Sequence, residues 1–420
     1  MITHRTGAST AGQAGALPTV NDLARIGALF FGMLMSGGLF VFPRLPLLAL
    51  IVMLCFYLKG PWLGLRRAME PVALLLLIVF AVTLLGAGGL ATEAVATRYL
   101  NFFGGLLLLG LYLDLPRETI LRDLYLVGKV FAVQALLTLI LAETATGLFT
   151  TVDVRDTPYQ TIAFIFTYPV LLEESTVFFR PDGFFFEPGV FQIYTNIFLY
   201  LAIFVFRDWR WSIVGLLAVM AVQSTTGYII ALLLLAVAFV RYVRAAPATF
   251  KWAALAVAPL VAIPVVLTAS QNFQTKFSGR LQGSAWAREY DTYTGLRVAA
   301  AYPLTGIGFD YERYYDEAAR YGYLESQLAT RTLTERPNSN GIVTMFYSIG
   351  FPLSLIFLLG LFRQIIFPDR LLFATIFILS LLAEALVFTP FFLMILFSGL
   401  LIRPVRVSAR RWSRASSPSA

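Results

Sequence analysis

The stretch Ser270–Ser339 reads SQNFQTKFSGRLQGSAWAREYDTYTGLRVAAAYPLTGIGFDYERYYDEAARYGYLESQLATRTLTERPNS and separates two strongly apolar parts of the chain. One apolar run ends near Thr268, and the next begins at Asn340. A polar segment of this length inside an apolar sequence either lies outside the bilayer or forms a domain of its own. A second, shorter polar segment, Glu143–Glu187, has the same character. We therefore expect the two segments to build one active site on a membrane scaffold.

The composition is that of a polytopic membrane protein. The chain has 420 residues, of which 58% are hydrophobic and 13% charged, and its mean hydropathy is +0.76. These values exclude a soluble enzyme. The net charge of +8 is then explained by Lys and Arg collected on one membrane face rather than by nucleic-acid binding. The single cysteine, Cys55, and the single histidine, His4, exclude a disulfide framework, a thiolate metal cluster and a metal site built from histidines.

Twelve apolar runs approach the length of about 20 residues that a helix needs to cross a bilayer. They are Leu23–Phe42, Leu45–Leu58, Pro71–Leu90, Tyr99–Leu113, Leu124–Ala142, Pro188–Phe206, Trp211–Gln223, Thr226–Val243, Trp252–Thr268, Asn340–Phe362, Leu371–Phe388 and Phe391–Ile402. Several are short, so two or three of them are candidates for half-helices or hairpins. The sequence thus predicts an all-α polytopic membrane protein with about twelve transmembrane helices and two large outer loops.

These runs divide the chain into seven parts. They are a cytoplasmic tail (1–22), five spans (23–142), an outer loop (143–187), four spans (188–268), a large outer loop (269–339), three spans (340–402) and a basic tail (403–420). The first 22 residues lack the apolar core of a signal peptide, which favours a tail.

Positive charge is distributed unequally between the two sets of connections. With the N-terminus inside, the short outer loops hold only Arg44 and Arg98. The inner segments hold Lys59, Arg66, Arg67, Arg117, Arg122, Arg207, Arg210, Arg241, Arg244, Lys251, Arg363, Arg370, Arg403, Arg406, Arg410, Arg411 and Arg414. The positive-inside rule then predicts that both polar segments lie outside and both termini inside.

The first polar segment ends in Arg180-Pro-Asp-Gly-Phe-Phe-Phe-Glu187-Pro-Gly189, for which two interpretations are open. Pro188 suits the first turn of a helix, and a carboxylate just before it complements the positive helix end. Alternatively, Glu187 acts as a general base at the membrane boundary, where the three phenylalanines lower the local polarity. Arg180 is close enough in sequence to pair with an anion or with Glu187.

Two further apolar runs begin with capping residues. Ser224, Thr225 and Thr226 precede one helix, and Asn338 and Asn340 precede another. These residue types are ordinary N-caps. They also leave backbone N–H groups that can hold a phosphate, and three outward-facing helix starts at Pro188, Thr226 and Asn340 would together suit a pyrophosphate.

The long polar segment supplies three arginines, Arg280, Arg288 and Arg297. Guanidinium groups bind phosphate oxygens through paired hydrogen bonds, although any single loop arginine is often simply solvated. Gly306 and Gly308 permit backbone conformations closed to other residues, but a lone GxG without a βαβ unit does not indicate a dinucleotide site.

Asp310–Leu333 is predicted to form an amphipathic helix on the membrane surface. Its tyrosines, beginning with Tyr311, are either interfacial aromatics or platforms for stacking on sugar rings. Glu384 falls inside the eleventh predicted span, where a charge is costly and often functional.

Together these features resemble the O-antigen polymerase/ligase superfamily of bacterial polysaccharide assembly. The resemblance rests on about twelve spans with two large outer loops, on Phe-Phe-Phe-Glu187-Pro-Gly189, and on Ser224-Thr-Thr-Gly227. It also rests on Arg297 followed by Gly308, as in the Arg-x10-Gly pattern of the polymerases, and on the Asn-Ser-Asn helix start that follows. Arg180 departs from this pattern, because Phe191 stands at the matching distance.

The resemblance implies a GT-C-like, metal-independent glycosyltransferase of the bacterial inner membrane. It would use an undecaprenyl-pyrophosphate-linked glycan at the periplasmic face and no cofactor, alongside a possible chain-length regulator and flippase. Glu187, Arg297 and Arg280 are the predicted catalytic residues. The predicted substrate-binding residues are Arg180, Arg288, Ser224, Thr225, Thr226, Gly306, Gly308, Tyr311, Asn338 and Asn340.

Several functions remain open at this stage. Ligases of the superfamily rely on a histidine in the large outer loop, and that loop contains no histidine here, which favours a polymerase. A ligase with a different acceptor is the first alternative. A polysaccharide or lipid-linked sugar transporter would show inverted repeats and a polar membrane midplane, neither of which the sequence displays. A structural partner in an export complex would tolerate loss of the loop arginines.

Overall fold

The computed structural model describes residues 18–38, 42–86, 92–154, 157–170, 179–245, 263–271, 282–321 and 337–401, with single positions at 247, 251, 259 and 274. The helices are α1 Val20–Met35, α2 Arg44–Lys59, α3 Glu70–Gly86, α4 Thr92–Tyr112, α5 Arg117–Thr144, α6 Pro188–Tyr200, α7 Trp209–Val222, α8 Thr225–Ala245, α9 Gln282–Ala301, α10 Tyr311–Tyr321, α11 Gly341–Arg363, α12 Arg370–Ala383 and α13 Pro390–Ser398. A π-helical stretch, Leu201–Phe206, continues α6, and short 3-10 turns occur at Gly60–Trp62, Arg67–Met69 and Thr146–Leu148.

The predicted helical membrane class is confirmed. Within the described ranges, seven helices are long and apolar enough to cross a bilayer. They cover Arg44–Trp62, Arg67–Leu84, Val95–Tyr112, Arg117–Thr144, Pro188–Phe206, Thr225–Arg244 and Gly341–Arg363. Helices α7 and α12 are apolar but shorter. The predicted span Trp252–Thr268 lies largely outside the described residues, although 263–271 are helical.

One end of the bundle holds Arg117 and Arg241, two of the arginines that were predicted to lie inside, and we call it the basic end. Arg117 Nε donates to Ile366 O at 2.7 Å, which joins the start of α5 to the α11–α12 connection. Arg241, near the end of α8, pairs with Asp369 at 2.8 Å. Because neighbouring helices alternate in direction, α6, α8 and α11 all begin at the opposite end, which we call the site end.

A small antiparallel sheet adds to the helical scaffold at the site end. Its strands are β1 Thr150–Val154, β2 Thr157–Ile162 and β3 Phe166–Pro169, in the order β1-β2-β3. The segment is rich in threonine, valine and aromatic residues, which favour a pleated, half-buried surface. The sequence analysis treated this part of the chain only as a polar loop, so the sheet is an addition to the prediction.

Helix α11 is bent, and the turn Pro303–Gly308 packs against the bend. The bend lies at Gly350, whose φ is 73°, two residues before Pro352. Ile307 N donates to Tyr347 O at 2.7 Å, so the turn and the bend are joined through their backbones. Gly306 N and Gly308 N also donate to backbone carbonyls, of Tyr302 and Ser348, so the amides of both glycines are used within the fold rather than by a ligand.

Replacing Gly306 by alanine is expected to destabilise this junction. The φ of Gly306 is 66°, and a Cβ there would lie 2.5 Å from Ser348 C. A strained backbone position of this kind costs about 1–3 kcal/mol, which thermal unfolding in detergent would register as a lower midpoint. Gly147→Ala is the matched control, because a Cβ at Gly147 meets nothing within 4 Å. Equal midpoints for both variants would contradict the expectation.

Candidate active site

The segment between β3 and α6 carries Arg180 and Glu187, and its first half is tied to the sheet. Asp182 N and Gly183 N both donate to Thr167 O, at 2.8 and 3.1 Å. Gly183 has a φ of 59°, a left-handed conformation that glycine adopts without strain. The loop therefore turns back over β3 in a defined conformation before it enters α6.

The three phenylalanines before Glu187 do not share one environment. Phe185 is fully buried, stacks on Tyr194 with ring centroids 4.8 Å apart, and pairs through its backbone with Gly38 of the α1–α2 connection. Phe186 is 40% exposed. The burial of Phe185 anchors the segment in the bundle and holds the following glutamate at the site end.

Glu187 occupies the N-cap position of α6, with Pro188 in the first turn as predicted. Its side chain nevertheless makes no capping hydrogen bond. Val190 N and Phe191 N donate instead to Glu187 O, at 3.2 and 3.3 Å. The Glu187 side chain therefore forms no capping hydrogen bond, and both interpretations, a charge that complements the helix end and a general base, stay predictions.

The half-buried Arg180 and the fully buried Asp182 interact electrostatically next to Glu187. Asp182 is fully buried, and both of its carboxylate oxygens lack a hydrogen-bond partner among the described residues. Burial raises the pKa of Asp182 well above its ordinary value, Arg180 opposes the shift, and Glu187 adds to it. A carboxyl group in this environment favours its neutral form.

The Arg180 guanidinium lies where several charged and polar groups meet. Its Nε is enclosed and has no hydrogen-bond partner within the described ranges. Burial lowers the pKa of Arg180, while Asp182, Tyr228 and Glu187 favour its charged form and Arg288 disfavours it. Arg180 thus interacts electrostatically with residues of α8 and α9 as well as with its own loop.

A second arginine–carboxylate pair joins α9 to the end of α12. Arg288 Nη2 lies 3.7 Å from Glu384 Oε1, and the Glu384 side chain is only 5% exposed. A Cβ added at Gly189 would overlap Glu384 Oε1 and would lie 3.4 Å from Glu187 Oε1. Two carboxylates therefore converge over Gly189, which explains why glycine follows Glu187-Pro188.

The position of Glu384 corrects the sequence-based prediction. Helix α12 ends at Ala383, and Glu384 has an extended backbone with φ −140° and ψ 134°. It lies at the site end, where its carbonyl oxygen would be 2.6 Å from a Cβ on Gly341. The predicted span Leu371–Phe388 is therefore helical only as far as Ala383, and Glu384 follows the helix instead of lying within it.

Replacing Gly189 by alanine is expected to displace Glu384 and so to impair function while the protein remains folded. The added Cβ would overlap the Glu384 carboxylate, and an unrelieved overlap of this kind costs about 1–3 kcal/mol. Combining Gly189→Ala with Glu384→Asp shortens the neighbouring side chain by one methylene and should restore part of the lost activity. No recovery in the double variant, at normal protein levels, would contradict this contact.

Replacing Asp182 by asparagine is expected to change how stability depends on pH. An acid whose pKa is higher in the folded protein makes folding progressively less favourable as the pH rises above its unfolded value of 3.8. Asp182→Asn should therefore match the wild type near pH 4 and exceed its thermal midpoint at neutral pH. Asp153→Asn, on the exposed face of β1, is the control, and parallel pH curves for wild type and Asp182→Asn would contradict the prediction.

The start of α8 lies beside the Arg180 loop. Gln223 Nε2 donates to Phe179 O at 3.2 Å, which connects the two directly. The predicted binding residues Ser224 and Thr225 are buried, with 4% and 8% exposure, and Thr226 is half-buried. The serine and threonines at this helix start are thus largely buried, and their predicted role in binding stays a prediction.

Two buried polar residues below the site were missed by the sequence analysis. Asn196 Nδ2 donates to Gln192 Oε1 at 3.0 Å and to Gly227 O at 3.3 Å, which links α6 to α8. Gln192 Nε2 and Asn196 Oδ1 have no hydrogen-bond partner among the described residues. Their spacing of four residues on one apolar helix is a signal that periodicity alone could have revealed.

The Asn338-Ser339-Asn340 sequence caps α11 and fastens it to α9. Asn340 Oδ1 accepts from Ile342 N and Val343 N, both at 3.1 Å. Asn338 Nδ2 donates to Asp291 O at 2.6 Å. The capping interpretation therefore holds here, and the amides of this helix start are occupied by the asparagine rather than open to a phosphate.

The structure separates two of the three predicted arginines of the long segment, Arg288 and Arg297. Arg288 pairs with Glu384 near the start of α6. Arg297, in contrast, is exposed, with its guanidinium 4.5 Å from the Tyr293 ring centroid. Arg280 lies outside the described residues. The roles of Arg280 and Arg297 stay predictions.

Tyr311 begins α10, and its hydroxyl accepts a hydrogen bond from Arg98 Nη2. This contact ties the surface helix to α4. The predicted helix Asp310–Leu333 is observed as Tyr311–Tyr321, and residues 322–336 are outside the described ranges.

The described residues thus bring together Arg180, Asp182, Glu187, Tyr228, Arg288 and Glu384 from four parts of the chain. Two guanidinium groups and three carboxyl groups surround the start of α6, and we call this cluster the charged site. Such a set can bind an anionic group and accept a proton from a neighbouring hydroxyl.

Comparison with known proteins gives one match. Residues 211–358 match the family model described as O-antigen ligase. The matched segment contains Arg288 and the start of α8 but not Arg180, Glu187 or Glu384. No match was found among the curated proteins or among the solved structures. Residues 211–358 of this multi-pass membrane protein are thus similar to the O-antigen ligase family, which is consistent with the resemblance of its sequence motifs to the O-antigen polymerase/ligase superfamily.

Proposed function

We propose that this protein is a bacterial polysaccharide polymerase that joins undecaprenyl-pyrophosphate-linked repeat units of an O-antigen or exopolysaccharide. The observation that carries the proposal is the clustering of Arg180 and Arg288 with Glu187 and Glu384 at the start of α6. This cluster combines cations for a diphosphate with a carboxylate that makes no capping hydrogen bond.

In the proposed reaction, Arg180 and Arg288 bind the pyrophosphate of the donor, assisted by the start of α8. Guanidinium groups hold phosphate oxygens in paired hydrogen bonds and stabilise the charge that develops as the leaving group departs. Binding of phosphate to Arg288 competes with its ion pair to Glu384, so the donor rearranges the resting site. Preorganised donors of this kind are each worth about 3 kcal/mol of transition-state stabilisation.

Glu187 is the proposed general base. It takes the proton of an acceptor sugar hydroxyl as the hydroxyl oxygen forms a bond to the anomeric carbon of the donor. The bond between that carbon and the pyrophosphate oxygen breaks, and the lipid pyrophosphate leaves as an anion. The cleaved sugar–pyrophosphate bond supplies the energy, so neither a nucleotide nor a metal ion is required in this scheme.

The remaining parts of the proposal concern the setting. We place the protein in the inner membrane with about twelve spans in a GT-C-like arrangement and with the site end facing the periplasm. The gathering of arginines at the opposite end supports this orientation. A chain-length regulator and a flippase are the proposed partners.

Purified protein supplied with lipid-linked repeat units tests the proposal directly. A polymerase lengthens the lipid-linked glycan in steps of one repeat unit, without a separate acceptor and in the presence of a metal chelator. Failure to elongate, under conditions where the protein is folded, would refute the polymerase assignment, and dependence on added metal would refute the scheme above.

A ligase is the second candidate, and the description of the matching family model favours it. A ligase transfers finished glycan to a different acceptor. Cells lacking the gene would then accumulate long lipid-linked polymer, whereas cells lacking a polymerase would accumulate single repeat units. The length of the lipid-linked glycan in the deletion strain therefore distinguishes the two.

A further inference from the structure

A cavity of about 420 Å³ lies between α2 and α4. Its lining is mostly apolar, with one arginine and one asparagine. The lining residues are Met35, Pro43, Arg44, Leu45, Pro46, Leu48, Thr97, Leu100 and Asn101.

Asn101 is the unusual member of this lining. It is fully buried, and neither Nδ2 nor Oδ1 has a hydrogen-bond partner within the described part of the chain. A buried amide without partners is costly, so its presence on a cavity wall points to a ligand that completes its hydrogen bonds.

Arg44 and Asn101 lie at the same level of the bundle. Helices α2 and α4 run in the same direction, and a Cβ on Gly104 would lie 3.5 Å from Leu48 Cδ1. Arg44 stands one turn before Leu48, and Asn101 stands about one turn before Gly104. The arginine and the amide therefore face one cavity from two helices.

The cavity opens onto a surface suited to lipid. Leu45, at its edge, is 64% exposed, and further along α2 Met53 and Phe56 are 61% and 57% exposed. An exposed apolar helix face of this length in a membrane protein is covered by lipid chains. A ligand with a polar head in the cavity can therefore lay an apolar chain along α2.

We propose that this cavity binds an anionic phospholipid of the bilayer. Arg44 and the Asn101 amide hold the phosphodiester, and the acyl chain follows the exposed face of α2. The single arginine of this cavity matches the single negative charge of a phosphodiester. The two arginines of the charged site match instead the higher charge of a pyrophosphate. The α1–α2 connection beside the cavity pairs through Gly38 with Phe185, so a bound lipid would stiffen the segment that carries Glu187. The site does not depend on the proposed reaction.

Lipid retention tests the proposal without any activity assay. Protein extracted in mild detergent is examined by native mass spectrometry after equilibration with phosphatidylglycerol, phosphatidylcholine or undecaprenyl phosphate. We expect selective retention of phosphatidylglycerol, reduced about tenfold by Arg44→Gln and by Asn101→Leu, because a hydrogen bond to a charged group is lost in each case. Arg66→Gln, an exposed arginine at the basic end, is the control and should retain lipid as the wild type does.

Asn101→Leu also provides a second readout, thermal unfolding, which does not depend on mass spectrometry. Because the buried amide lacks partners, the lipid-free variant should unfold at a temperature equal to or above that of the wild type, while added phosphatidylglycerol should raise only the wild-type midpoint. Equal retention of phosphatidylcholine, undiminished retention in both variants, or displacement of phosphatidylglycerol by an equal amount of undecaprenyl phosphate would each overturn the assignment.

Discussion

Elongation of lipid-linked repeat units by the Glu187→Gln variant is expected to be about 10²–10⁴-fold slower than by the wild type. Glutamine keeps the size of the side chain but cannot accept the hydroxyl proton. Because the Glu187 side chain makes no capping hydrogen bond, the substitution should leave the start of α6 intact. The measurement is the initial rate of glycan elongation by purified protein, with thermal unfolding to confirm that the variant is folded.

The control for this variant is Glu312→Gln, at the exposed first turn of α10, which should elongate at the wild-type rate. If Glu187 only shaped the helix start, Glu187→Gln would lower the unfolding temperature and the rate together. A wild-type rate from Glu187→Gln at normal protein levels would remove the glutamate from the proposed mechanism.

Arg180→Lys is expected to lower the elongation rate by about 10²–10³-fold. Lysine keeps the positive charge but loses the planar pair of donors that matches a phosphate. The Arg180 Nε is enclosed and lacks a partner among the described residues. Lysine has no nitrogen at this position, so its ammonium group cannot make the same hydrogen bonds. Arg320→Lys, on the exposed surface of α10, is the matched control.

Substitution of the other arginines tells which of them contact the donor. If the cluster at the start of α6 binds the pyrophosphate, Arg288→Lys should impair elongation as Arg180→Lys does. Arg297→Ala tests the role predicted from the Arg-x10-Gly pattern, since this side chain is exposed beside Tyr293. A loss with Arg297→Ala comparable to that with Arg180→Lys would support the predicted role, and a wild-type rate would leave pyrophosphate binding to Arg180 and Arg288.

Much of the scaffold could be predicted because hydropathy is a local property. The spans Pro188–Phe206 and Asn340–Phe362 were placed within a residue of the observed helical stretches at Pro188–Phe206 and Gly341–Arg363. The boundary after Ala383 was missed, because residues 385–388 are as apolar as the helix before them. The sheet at Thr150–Pro169 was missed because its strands are short and only partly buried.

Some residues of the candidate site could be predicted from the sequence, but the full set of residues that come together could not. Glu187 and Arg180 stood out because charged residues are rare beside phenylalanine runs and helix starts. Asp182 did not stand out, and Glu384 stood out only as a charge in an apolar run, since their place in the site comes from burial and from neighbours distant in sequence. Arg288 and Arg297 are nine residues apart, which is about two and a half helical turns, so a single helix places them on opposite faces. Sequence alone could not tell which of those faces meets α11.

From its residues alone, then, this chain is recognisable as a helical membrane protein with two polar segments, unequal charge and motifs that resemble those of the O-antigen polymerase/ligase superfamily. Each of those properties depends on neighbours along the chain. The pairing of Arg288 with Glu384, the position of Arg180 beside the buried Asp182 and the closeness of two carboxylates over Gly189 depend instead on how separate parts of the chain pack. Electrostatic interactions fall with distance and grow with burial, and both quantities exist only once the helices have come together.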